Sequence, residues 1–63
     1  MPENPAELET TLDSLRVSVG AHLARIVQQS DWWAVPHAVA IVEAATKLQI
    51  ACGQAGAWLR RKS

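Results

Sequence analysis

From Pro36 to the basic end Arg60-Arg61-Lys62 the chain contains no further proline, and a helix built from it would be apolar on nearly every side. One seam reads Ala38, Ile41, Ala45, Leu48, Cys52, Ala55 and Leu59, alternating by three and four residues. The small residues at 38, 45 and 52 would let a neighbouring helix approach closely. A second stripe reads Val35, Val39, Val42, Thr46, Gly53 and Ala57, with Ile50 on its edge. Only a narrow line is clearly polar, Glu43, Lys47, Gln54 and Arg61, in which Glu43 and Lys47 form a favourable pair four residues apart. A helix that is apolar almost all round is expected to be buried, and one neighbour cannot cover both of its faces.

The first half of the chain supplies one such neighbour. Asn4-Pro5-Ala6-Glu7 reads as a capping residue, a proline at the first helical position and an acid at the third. Glu7 and Glu9 then favour the start of the helix dipole. Leu8, Leu12, Leu15, Val19, His22 and Ile26 form one stripe, broadened by Leu23 and Val27, with Asp13, Ser14, Arg25 and Gln28 on the other side. Gly20 weakens the helix interior by about 1 kcal/mol relative to alanine. It is either a tolerated surface glycine or the mark of a close helix–helix approach.

Between the two helices Ser30 or Asp31 can cap, and Pro36 is best placed in the first turn of helix 2. Trp32 and Trp33 are adjacent and so point in different directions. One can cover the end of the hairpin while the other stays exposed, or the pair can anchor a partner, as tryptophan often does at interfaces. Trp58 beside the basic tail is a third aromatic candidate for partner binding.

The expected fold is therefore all-α: one domain, 1–63, forming a two-helix antiparallel hairpin. Helix 1 is expected over about 5–29, the connection over about 30–34 and helix 2 over about 35–61. Antiparallel packing brings the acidic start, Glu3, Glu7 and Glu9, near the basic end. For a compact globule of this size, burial contributes about 85–90 kcal/mol and ordering costs about 85 kcal/mol. A single hairpin buries less than a globule and needs a staple or a partner. One cysteine makes no internal disulfide, and no Cys and His residues have the spacing of a structural zinc site. The simplest partner is a second copy, giving a homodimeric four-helix bundle with helix 2 at its centre. Val35, Val39, Val42, Thr46, Ile50, Gly53 and Ala57 are the self-association candidates.

Several functions are disfavoured. The formal net charge is zero, whereas nucleic-acid binders usually carry a basic excess. The apolar runs are too short for a membrane span. The acidic, polar start is unlike a signal peptide, and with a lone cysteine it fits a reducing cytoplasm. No phosphate loop, nucleophile elbow or carboxylate pair appears. Cys52 on a seam reads as a small buried apolar residue, with no histidine placed to activate it. His22 is expected at the seam boundary with a local hydrogen bond, and His37 in the first turn of helix 2. No catalytic residue, metal or cofactor is expected, and the chain does not read as an enzyme.

The leading expectation is a non-catalytic protein–protein interaction module of the small regulator, inhibitor or co-chaperone type, which self-associates or binds a helical protein partner. In length and layout it is similar to the two-helix co-chaperones of type III secretion needle subunits, although no motif carries that likeness. One alternative is a small dimeric nucleic-acid-binding regulator, similar in layout to the RNA-binding hairpins of plasmid copy control. Another is a structural subunit of a larger assembly, such as that of a phage.

Overall fold

The computed structural model describes residues 3–62. Two long helices dominate it, α1 over Pro5–Val27 and α2 over Ala38–Lys62, and among the described residues there is no strand. They pack along their lengths as a hairpin, a rod of 44 × 16 × 15 Å.

The start of α1 is the one its sequence implies. The Asn4 side chain accepts from the Glu7 backbone N–H at 3.1 Å, and its Nδ2 donates to Glu7 Oε2 at 3.2 Å. Pro5 fills the first turn, where its missing N–H costs nothing. Such a cap contributes about 1 kcal/mol. The helix runs out at Gln28, whose N–H still bonds to Ala24 O at 3.2 Å.

The connection is longer than the sequence implies, and α2 starts later. Residues 28–37 separate the helices, with a short 3₁₀ turn over Trp32–Ala34. Asp31 caps nothing with its side chain; it turns the chain through a left-handed conformation, φ 57°. Pro36 explains the late start. A residue before proline is driven out of the helical region, and Val35 is extended, at φ −73° and ψ 130°. His37 then takes a second left-handed turn, φ 67°. Asp and His are among the side chains that tolerate this conformation. His37 thus lies just outside α2, and its carbonyl accepts the N–H of Ile41 at 3.0 Å.

The seam between the helices is also shifted from the one expected. On α1 the partly covered positions are Pro5, Glu9, Leu12, Arg16, Val19, Gly20, Leu23 and Ile26; on α2 the covered ones are Ala38, Val42, Ala45, Gln49, Cys52, Gly56, Ala57 and Leu59. Apart from Gly20 and Ala57, both sets alternate by four and three, the repeat of two helices wound together. Ala38, Ala45, Cys52 and Leu59 are as expected. The positions between them are Val42, Gln49 and Gly56 rather than Ile41, Leu48 and Ala55. The reason is close approach. Gln49 Nε2 donates to the backbone carbonyl of Arg16 at 3.2 Å across the seam. It lies over Gly20, where an added Cβ would come within 2.7 Å of it. Gly20 therefore belongs to a close helix–helix approach.

Few side chains are fully covered. Cys52, Gly56 and Leu59, all near the open end of the hairpin, are buried, and α1 buries none. Glu9 and Arg60 join the two ends there through a 3.0 Å ion pair. Exposed pairs of this kind contribute about 0–1 kcal/mol.

Candidate functional site

The hairpin leaves a large apolar surface uncovered. The molecule exposes 4823 Å²; a compact protein of its mass would expose about 4,000 Å². Its radius of gyration is 14.4 Å, against about 10.6 Å for a compact domain of this length.

This surface lies on both sides of the seam. At about 100° per residue, helical positions seven apart lie nearly in line. Leu8, Leu15 and His22 therefore form one row on α1, beside the seam, and Ile41, Leu48 and Ala55 form another on α2, which ends at Lys62. In an antiparallel pair these rows flank the same side of the seam. The groove between the helices confirms it, since His22 and Ile26 line it together with Ile41 and Ala45. Every residue of the two rows is exposed, Ile41 at 56% and Leu48 at 42%. Just outside them lie Thr11, Ser18 and Arg25 on α1 and Ala44, Ala51 and Trp58 on α2, of which Arg25, near the connection, is charged. Within the row the His22 ring is anchored locally. Its Nδ1 lies 2.7 Å from the Ser18 carbonyl, an oxygen that can only accept, so Nδ1 carries the proton.

The opposite side of the seam differs in kind. Glu9, Asp13 and Arg16 of α1 share a depression there with Gly53, Gly56 and Arg60 of α2. Arg16 pairs with Asp13 at 2.7 Å and Arg60 with Glu9 at 3.0 Å. Beyond this depression lie Val39, Thr46, Ile50, Gly53 and Ala57, the helical members of the stripe that the sequence marks for self-association. Val39, Ile50, Thr46 and Gly53 are exposed, Ile50 at 57%, and Ala57 is partly covered. Thr46 spends its hydroxyl on the Val42 carbonyl at 2.8 Å. Val35 precedes α2 and is exposed in the connection, while Val42 is partly covered at the edge of the seam.

The three tryptophans do not form one site. Trp32 is half-buried, and Trp33, its neighbour, is 60% exposed. Their rings meet edge to face, centroids 6.3 Å apart. Trp58 lies about 30 Å further along, at twenty residues beyond the start of α2. It is exposed, with the Lys62 ammonium 5.9 Å from its ring centroid.

Among the described residues no three His, Cys, Asp or Glu side chains gather as a metal site. Among the same residues, no helix is long and apolar enough to cross a membrane. Cys52, the single cysteine, is buried at 6% exposure on the seam. No family model, curated protein or solved structure matches the chain.

Proposed function

We propose that this chain is a non-catalytic interaction module that self-associates through its exposed helical surface. One observation carries the reading: in a 63-residue chain with 49% apolar residues, eleven large apolar residues are exposed, and among the described residues only Cys52 and Leu59 form a buried apolar core. Monomeric soluble proteins rarely expose contiguous apolar patches larger than a few hundred Å². A hairpin with one thin seam also has little burial to offset the cost of ordering its backbone. Association covers the apolar surface and adds stability in the same step.

The test is the mass and helicity of the purified chain across a dilution series. The expected result is a stable oligomer at micromolar concentration, with helicity lost on dilution as the oligomer dissociates. A monomer of undiminished helicity at all concentrations would overturn the reading.

A further inference from the structure

We infer that the two halves of this surface are not equivalent, and that the side lined by Leu8, Leu15, His22, Ile41, Leu48 and Ala55 closes on the same side of a second copy, forming a four-helix bundle. The inference rests on the self-association proposed above and names the surface that carries it.

Three observations favour this side and this occupant. The first is charge. An interface between two copies related by a two-fold axis brings a patch against itself. On this side Leu8, Leu15, His22, Ile41, Leu48 and Ala55, with Thr11, Ser18, Ala44 and Ala51 just outside them, include no Asp, Glu, Lys or Arg, and the cations in line with them, Arg25 and Lys62, stand at the two ends of the rod, so like charges do not meet along the middle of the contact. On the other side a second copy would have to desolvate the Glu9–Arg60 and Asp13–Arg16 pairs, a cost that attraction between them recovers only with excellent geometry.

The second observation is shape. Leu48 stands among Ala44, Ala51 and Ala55, so α2 offers large knobs beside shallow floors. That alternation is the one by which helices interlock, each knob entering a hole between residues of the facing helix. Leu15 on α1 is a knob of the same kind, exposed on the same side.

The third is area. The hairpin exposes 4823 Å². That is about 800 Å² more than a compact chain of its mass, and about 800 Å² is what each partner buries in a standard specific interface. The long side of the rod, 44 × 16 Å, has a flat footprint of about 700 Å², again close to that requirement. One further copy is thus enough to cover the surplus, and a larger partner is not needed.

The experiment compares two pairs of variants of the full chain by sedimentation, Leu15→Lys with Leu48→Lys, and Val39→Lys with Ile50→Lys. Leu15→Lys and Leu48→Lys should each raise the dimer dissociation constant on the order of 100-fold, because each buries an unpaired ammonium at the contact. Val39→Lys and Ile50→Lys should leave it within a few-fold. Because dissociation of this chain can unfold it, the unmodified chain is also probed by NMR with a soluble paramagnetic agent. The methyl signals of Leu15 and Leu48 should be protected and those of Val39 and Ile50 broadened. The reverse pattern in either measurement overturns this surface while leaving self-association standing. A well-folded wild-type monomer overturns both.

Discussion

The two long sides of the hairpin come from the same two helices and the same seam, yet one carries charge only towards its ends, at Arg25 and Lys62, and the other is crossed by ion pairs. Leu8, Leu15, His22, Ile41, Leu48 and Ala55 make up the first. Glu9, Asp13, Arg16 and Arg60 hold the second, with Gln49 reaching across the seam between them. The difference follows from what the seam consumes. On α2 the seam takes mostly small residues, Ala38, Ala45, Cys52 and Gly56, with Val42, Gln49 and Leu59 between and beyond them. The bulky residues next to them, Ile41 and Leu48, are displaced to the outside on one side, while Val39 and Ile50 are exposed beyond the ion pairs on the other.

The largest effect would come from the seam that both sides share. Leu59 is 3% exposed, the most deeply buried side chain of the core. Leu59→Ala should cost about 2–5 kcal/mol, a large part of the stability of any small domain. A thermal melt followed by helicity should show most of the cooperative transition lost. If the melt is unchanged, the open end is not what holds the hairpin together, and the contrast between the two sides loses its common frame.

Two glycines separate the sides on a smaller scale. Gly53 has nothing within 4 Å of where a Cβ would stand. Gly53→Ala should therefore gain the helical preference of alanine, about 1 kcal/mol, raising the melting temperature by about 4–8 °C without changing the oligomer mass. A fall in mass would place a close contact on the ion-pair side and contradict the assignment of the apolar side. At Gly20 the same gain in helix preference is opposed. The added Cβ pushes on Gln49 Nε2 and endangers its bond to the Arg16 carbonyl, worth about 0.5–1.5 kcal/mol. Gly20→Ala should leave the melting temperature nearly where it was. Equal gains at both glycines would show that Gln49 is not needed to hold the seam.

How much of this the sequence carries depends on the residue. The two helices, the Asn4 cap with Pro5, the antiparallel pairing of acidic and basic ends and the burial of Cys52 are all legible, because each follows from local chemistry or from a strong period. The register of the seam is not. Ile41, Leu48 and Ala55 and the neighbouring Val42, Gln49 and Gly56 have the same spacing, and hydrophobicity favours the wrong set. Similarly on α1, Leu8, Leu15 and His22 lie outside the seam, and Glu9, Arg16 and Leu23 lie along it. The signal that separates the two registers is Gly20, which makes room on α1 for a long polar side chain from α2. It becomes decisive only once Gln49 is known to face it. The late start of α2 follows from Pro36 acting on Val35, and from the left-handed turn at His37, which no periodicity announces.

The smallest effect belongs to the ion pair that joins the ends of the polar side. Arg60 Nη1 meets Glu9 Oε1 at 3.0 Å, with 63% of the arginine side chain and 28% of the glutamate exposed. Water and salt screen a pair so placed, and its contribution is about 0–1 kcal/mol. Glu9→Gln keeps the shape of the side chain and removes its charge. The melting temperature should fall by no more than a few degrees at low salt, and the difference from the parent should shrink as salt is raised. The oligomer mass should stay constant throughout, since this pair lies on the side of the seam away from the proposed contact. Were Glu9→Gln to dissociate the oligomer, the charged side would be the one that meets the second copy, and the apolar rows at Leu15 and Leu48 would need a different occupant.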